Sequence, residues 1–487
     1  MMNKLITTLK LIMAFVAMLF ISSAKSPVNP PAPVYPLPTD TQLAWQKMEM
    51  VAFVHFTTNT FTGLEWGYGD ESESIFNPKE ANPLQWATVL KDAGFKELIF
   101  TCKHHDGFCL WPSKYTEHSI KNSPYKNGKG DLVREVSDAC KKTGLKFGIY
   151  LSPWDRNRAD YGKPEYITYY RNQLTELITN YGPISELWFD GANGGTGYYG
   201  GARERRTITA SYYDWPNTIK LVRSLQKQPF VIFSDNGPDI RWVGNEEGWV
   251  GETNWYPMDP DSCQIRRSGY ERIIGAGMEN GSAWLPSEVD VSIRPGWFYH
   301  AKEDSLVKTP QQLFDIYLKS VGRGAVLLLN VPPDRRGLFN EIDVKSLQGF
   351  RHMLDTEFKT NLAKGAKVSV SSYRGNSDEF DGENLLDGNP DTYWATDDNV
   401  TSGSIELDLN KAQTVKYIVL HEYLKLGQRI KAFNIKVKKN GSWVQVADAT
   451  TIGFKRIIKI DPVNTDKIRV NIVASKACLT LSGIEVF

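Results

Sequence analysis

Between residue 45 and about residue 350 the chain repeats one pattern, a short apolar run followed by a helix-period segment, several of them closed by glycine. MVAFVHF (50–56) precedes a helix expected around 83–93 that ends at Ala93-Gly94. ELIFTCK (97–103) precedes one near 131–143 that ends at Thr143-Gly144, and KFGIYLS (146–152) one near 164–181. ISELWFD (184–190) leads to a helix near 214–227 and then to FVIFSD (230–235), and a helix near 310–321 leads to AVLLLN (325–330). Apolar strands alternating with helices that stop at glycine are βα units on a parallel sheet. A stretch of this length favours a (β/α)8-like TIM barrel over an open doubly wound sheet. The open sheet lacks support, because GAGMENG (275–281) has the wrong spacing for a dinucleotide fingerprint and no strand before it. Strands six and seven are poorly marked between 249 and 300, so an irregular barrel is expected. After about residue 360 the pattern changes to short alternating segments (VSVSSY, SIELDL, TVKYIVL, FNIKVKK, SWVQVAD, KIRVNIV, GIEVF) divided by turns, which reads as a β-sandwich.

Lys4 and Lys10 precede an apolar run from Leu11 to Ile21 and then Ser22-Ser23-Ala24, the layout of a signal peptide over 1–24. The run is short for a membrane span, although an uncleaved anchor is the competing reading. No other stretch approaches the length of a transmembrane helix, so no membrane insertion is expected after signal removal, and the expected location is periplasmic or secreted. Residues 25–44, rich in proline, read as an extended linker. The barrel is then expected over 45–355 and the sandwich over 356–487. With 57 basic and 56 acidic side chains the net charge is +1, which argues against nucleic acid or a polybasic membrane contact. Five cysteines without a C-x-x-C pair make a zinc site improbable.

In a barrel the chemistry stands at the C-terminal ends of the strands. Alternation puts His55 on the same face as Phe53, pointing inward, and likewise turns Tyr150 inward. Glu186, Trp188 and Asp190 share the inward face of their strand, with Asp190 at the mouth before the glycine-rich GANGG. The second strand ends in Lys103-His104-His105-Asp106, so three of the seven histidines fall at strand ends of one barrel. Adjacent histidines on a strand diverge, which favours hydroxyl contacts over a metal. Glycoside hydrolysis needs two carboxyl groups across one bond. Asp190 supplies one, and the other is expected after the fifth strand in RWVGNEEG (241–248), one βα unit further on, where spacing alone does not separate Glu246 from Glu247. A solvated loop charge is the competing reading for both.

FVHFTTNTFTGLEWGYG, FTCKHHDGFCLWPS, GIYLSPWD, ELWFDGANG, GNEEG and LLLNVPPDRRG, in this order from about residue 45 to 355, resemble the retaining α-L-fucosidases of glycoside hydrolase family 29. The resemblance makes Asp190 the nucleophile, has His55, His104, His105, Tyr150 and Trp188 hold fucose, and sets Glu65 and Trp66 against its hydroxyls and ring edge. GLEWGYGDE and RWVGNEEG look like the branch specific for α-1,3/1,4-linked fucose on Lewis-type glycans, in which Glu246 rather than Glu247 is the acid/base. Trp297 of IRPGWFYH lines the pocket in that reading, and the insertion around 197–213 departs from the plainest family pattern. The implied activity is exo-hydrolysis of a fucosylated oligosaccharide or glycoconjugate by double displacement, without a catalytic cofactor. Another retaining exo-glycosidase, or an inert glycan-binding barrel, are the alternatives. LLDGNPDTYWATDD (385–398) and the terminal SGIEVF resemble discoidin-like carbohydrate-binding modules. Asp387 and Thr392 there are read either as part of a structural calcium loop or as an ordinary polar turn. A sugar platform on this module would need Trp443 or Tyr423 exposed.

Overall fold

A computed structural model describes residues 28–191, 196–199, 204–209, 211–234, 237–260 and 270–487. The expected signal peptide, Cys263 and most of GANGG lie outside these residues. Eight parallel strands close into a barrel: β1 (Met50–Val54), β2 (Glu97–Lys103), β3 (Lys146–Leu151), β4 (Glu186–Trp188), β5 (Val231–Ser234), β6 (Ile240–Trp242), β7 (Ser287–Ser292) and β8 (Val326–Asn330). Each strand pairs with its neighbours in sequence, and β8 closes on β1 with Ala52 opposite Leu329.

The helices follow from local chemistry. Pro83–Asp92 starts from an Asn82 cap with proline in its first turn, and Leu132–Thr143 starts from an Asp131 cap and stops at Gly144 in the left-handed region. Their buried stripes, Trp86 and Leu90 on the first and Val133 and Val136 on the second, join one core between helices and barrel. Inside the barrel a separate cluster holds Val51, Phe53, Ile99, Tyr150, Trp188, Val231, Phe233, Val326 and Leu328. The alternation of β3 and β4 therefore resolves as expected, with Tyr150 and Trp188 inward.

Two expectations need correction. The sixth strand is Ile240–Trp242, and no helix separates it from β5. RWVGNEEG thus leaves β6, not β5, and Glu246 stands two strands from Asp190 rather than on an adjacent unit. The Pro-rich linker expected over 25–44 is, from residue 28, chain docked on the C-terminal domain. The Val34 amide donates to the Leu426 carbonyl at 2.9 Å, Arg429 and Arg374 donate to the Ala32 and Asn29 carbonyls, and a helix begins at Asp40. Gly427 permits the close approach, since a Cβ there would lie 1.9 Å from the Val34 oxygen.

The C-terminal domain is antiparallel, built on β9 (Lys367–Val370), β10 (Trp394–Ala395), β11 (Gly403–Glu422), β12 (Ile430–Lys439), β13 (Ser442–Thr450), β14 (Arg456–Ser475) and β15 (Thr480–Val486). Its order is β10-β15-β11-β14-β12-β13, with β9 added on β11, around a core that includes Trp394, Ile405, Phe433, Val470 and Ile484. Cys102, Cys109, Cys140 and Cys478 are free and buried.

Three glutamates lie within the barrel. Glu186 accepts from the Trp45 indole at 2.7 Å and Glu288 from the Trp188 indole at 3.0 Å, while Ser185 donates to Glu97. Their remaining oxygens, Glu186 Oε1, Glu288 Oε2 and Glu97 Oε2, are buried without a conventional donor among the described residues, as expected where carboxyl protons are retained. Burial pushes Glu97 and Glu288 up to about 7, and burial followed by the charge of Glu288 raises Glu186 well above the ordinary carboxylate range. A carboxyl raised on folding stabilises the protein fully below its ordinary pKa, and that contribution is lost as pH rises through about 7. Glu288→Gln, which keeps an acceptor for Trp188 but cannot ionise, should therefore gain about 1–3 kcal/mol relative to the parent between pH 5 and pH 8. Urea midpoints at the two pH values measure this, and a pH-independent difference would contradict it.

Candidate active site

The C-terminal ends of the barrel strands bring the expected residues together. His55 follows β1, and its Nδ1 lies 2.8 Å from Asn330 Oδ1 at the end of β8. Asn330 Nδ2 donates to Ser292 Oγ at 2.9 Å and to the Trp297 carbonyl at 2.8 Å. Asn330 Oδ1 is then the acceptor, which assigns the His55 proton to Nδ1 and leaves Nε2 able to accept from a ligand hydroxyl. The same logic fixes His105, whose Nδ1 lies 2.7 Å from Ser152 Oγ while that hydroxyl donates to the Trp154 carbonyl at 2.7 Å. His105 Nε2, the acceptor, stands 3.7 Å from Asp190 Oδ2. His104 Nδ1 is buried and finds no partner among the described residues.

Burial holds all three imidazoles neutral. It lowers His55 to about 4 and His105 to about 3, and carries His104 well below its ordinary value with help from His105 and His55. Neutral rings offer one donor and one acceptor each, which suits the mixed donor and acceptor demand of sugar hydroxyls. Asp106, the next residue, anchors this corner by accepting the Thr57 and Thr58 hydroxyls at 2.7 Å each.

Asp190 follows β4 and keeps 19% of its side chain exposed at the mouth. The Tyr150 hydroxyl donates to its Oδ2 at 2.6 Å. Burial, then the charge of Asp190, raises the Tyr150 phenol far above its usual range, so it stays a donor and Asp190 an acceptor. Trp188 stacks on Phe233 with centroids 4.1 Å apart and on Tyr150 at 5.5 Å, fixing the strand that carries Asp190.

On the other side, Trp297 packs 5.3 Å from the His55 ring, and its indole donates to Glu246 Oε2 at 3.2 Å. Tyr150, His55 and Trp297 thus form a continuous wall between Asp190 and Glu246. Solvent reaches Glu246, but the protein crowded around its carboxyl raises the pKa, with Glu65 adding to the rise and the Trp297 hydrogen bond opposing it. Glu247 points elsewhere, accepting from the Trp249 indole at 2.8 Å. Glu65 accepts from the Trp297 amide at 2.8 Å and lies 2.6 Å from His300 Nε2. Gly296 makes room for it, since a Cβ there would come within 2.5 Å of Glu65 Oε1. Trp66, more than half exposed, sets its ring against Trp154 and His105.

Sequence reasoning missed Asn330, Ser152 and His300, which orient the ligand-facing groups. For Asn330 a signal existed, since it is the polar end of the apolar run AVLLLN and so falls under the strand-end rule applied to the other strands. In the C-terminal domain both oxygens of Asp387 are used by the chain's own donors, Asn389 N at 2.7 Å and Thr392 Oγ1 at 2.6 Å. Trp443 and Tyr423 are both half-buried, with Trp443 under the Arg469 guanidinium and Tyr423 stacked on Tyr393.

A parallel barrel whose mouth joins two acidic loops through a wall of neutral histidines and aromatic rings is the framework of a glycoside hydrolase. Residues 34–357 match the α-L-fucosidase family and residues 367–482 the F5/8 type C domain. The chain belongs to glycoside hydrolase family 29 and is an α-L-fucosidase carrying a C-terminal discoidin-like domain. It is 42% identical to alpha-L-fucosidase 1 of Arabidopsis thaliana, over 94% of this chain and 88% of that one. Among solved structures it resembles a putative alpha-L-fucosidase from Bacteroides thetaiotaomicron (40% identity, TM-score 0.86, covering 94% of this chain and 98% of that one). It also resembles a Ruminococcus gnavus family 29 fucosidase in complex with fucose (34% identity, TM-score 0.86, covering 95% and 97%).

Proposed function

We propose that the protein releases terminal α-1,3- or α-1,4-linked fucose from Lewis-type branched glycans by double displacement, with Asp190 as nucleophile and Glu246 as acid/base. The observation that carries this reading is the contrast between the two acids. Asp190 accepts a 2.6 Å hydrogen bond from a phenol, which favours its ionised form, while crowding and Glu65 favour the protonated form of Glu246. Asp190 attacks the anomeric carbon as Glu246 gives its proton to the departing oxygen. Water then cleaves the fucosyl-enzyme, with Glu246 as base. His55, His104, His105, Tyr150 and Trp188 hold the sugar, with Glu65, Trp66 and Trp297 along its edge. The linkage preference rests on the GLEWGYGDE and RWVGNEEG motifs and on exposed Trp66, Tyr68 and Trp249, aromatic surface suited to a branched aglycone. The leader-like segment 1–24 supports export to the periplasm or beyond the cell.

Fucose release from a Lewis trisaccharide should exceed that from a 2-linked fucosyl lactose by roughly 10-fold or more in kcat/KM. Equal or reversed rates would overturn the linkage assignment and leave the activity untouched.

A further inference from the structure

β7 carries acidic residues that the mechanism does not use. Asp290 points into the barrel, is 4% exposed, and accepts from the Trp242 indole at 2.8 Å. Trp242 is the last residue of β6, and Glu246 follows four positions later. β6 pairs with β7 at only two positions, Arg241 with Ser287 and Trp242 with Glu288, before the chain leaves as the loop carrying Glu246. That loop returns to β7 one residue beyond Asp290, where Glu247 forms an antiparallel bridge with Val291. Between these two points the loop is braced internally, by Glu247 N on Asn245 Oδ1 and Asn245 Nδ2 on the Trp249 carbonyl, each at 3.1 Å.

We propose that Asp290 is a positioning residue for the acid/base: through the Trp242 indole, and beside the Glu247–Val291 bridge, it sets where the Glu246 carboxyl stands over the barrel mouth. The inference rests on the role given to Glu246 above. Proton transfer to a glycosidic oxygen requires the acid within hydrogen-bond reach, and a small displacement of its loop removes that reach while leaving the sugar pocket intact. Burial, then the charge of Glu246, raises the Asp290 carboxyl above its ordinary pKa, which disfavours a second negative charge beside the acid/base.

The test uses the leaving group. kcat/KM reports the steps up to formation of the fucosyl-enzyme, where a glycan needs a general acid and an aryl fucoside with an acidic phenol does not. Asp290→Ala and Trp242→Phe, which break the same contact from either side, should each lower kcat/KM roughly 10-fold or more on a Lewis trisaccharide and less than about 3-fold on the activated aryl fucoside. Asp290→Asn keeps an acceptor for the indole and should stay near the parent on both. If Asp290→Ala fails to fold, Trp242→Phe carries the comparison. Equal losses on the two substrates would mean a general structural role and overturn the inference, as would no loss on either. Glu246→Gln is the reference arm. If it too shows no dependence on the leaving group, the role of Glu246 falls and the positioning inference with it. If Glu246→Gln shows that dependence and the Asp290 and Trp242 variants do not, only the positioning inference fails.

Discussion

Asp190→Ala is expected to fold, to bind fucose, and to lose turnover by on the order of 10⁴-fold or more. The large effect follows from removing the atom that forms the covalent bond, since no other carboxylate meets Tyr150 among the described residues. The small effect on folding follows from position. Asp190 lies beyond the last residue of β4, at a mouth where water can reach the Tyr150 hydroxyl left behind. Fucose binding should weaken modestly, because Asn330 holds His55 and Ser152 holds His105 independently of Asp190. Calorimetric titration with fucose beside a kinetic assay checks both halves. Near-normal turnover would remove Asp190 from the chemistry.

Glu246→Ala is the second large effect, and its size should depend on the substrate. On glycans, loss of the general acid should lower kcat/KM by about 10²–10⁴-fold, the ordinary contribution of such a group. On an aryl fucoside whose phenol leaves unaided, formation of the fucosyl-enzyme should stay fast. Its hydrolysis, now without a base, should become limiting, so a rapid burst of phenol followed by a slow steady rate is expected. The parent should show a pH–rate profile with an acidic limb from Asp190 and an alkaline limb from Glu246, and the alkaline limb should disappear in the variant. The sign follows from the mechanism: the first step needs Glu246 protonated, so activity falls as pH rises through its raised pKa.

The histidines that would hold the sugar, His55 and His105, and the aspartate expected to attack it were legible because strand alternation and the strand-end rule are geometric and need no partner sequence. His55, Tyr150, Trp188 and Asp190 all stand where alternation along β1, β3 and β4 puts them. The sixth strand was not legible, since Ile240–Trp242 is too short to show a period and no helix introduces it. The seventh was obscured by inversion. In SEVDVS, Val291 joins the core between helices and barrel and Val289 packs with Val243, Val250 and Ala325, while Glu288 and Asp290 face the barrel interior, so an inward polar row looks like an outward one. Mislocating β6 put Glu246 beside Asp190 in the repeat rather than two strands away. Spacing did not separate Glu246 from Glu247, and only the resemblance chose between them; their carboxyls touch different indoles, Trp297 in one case and Trp249 in the other, and loop side-chain direction is not encoded in spacing. The docked course of residues 28–39 depends on carbonyls meeting Arg374 and Arg429 more than three hundred positions away, a pairing that proline content alone does not show.

The central claim is that two acids borne on β4 and on the loop after β6 work from opposite faces of one anomeric carbon. Azide offered to the two disabled enzymes reads those faces directly, because it enters from whichever side has lost its carboxylate. Glu246→Ala should yield α-fucosyl azide and Asp190→Gly β-fucosyl azide, each resolved by the proton spectrum of the product. The same anomer from both variants, or the two products exchanged, would contradict it.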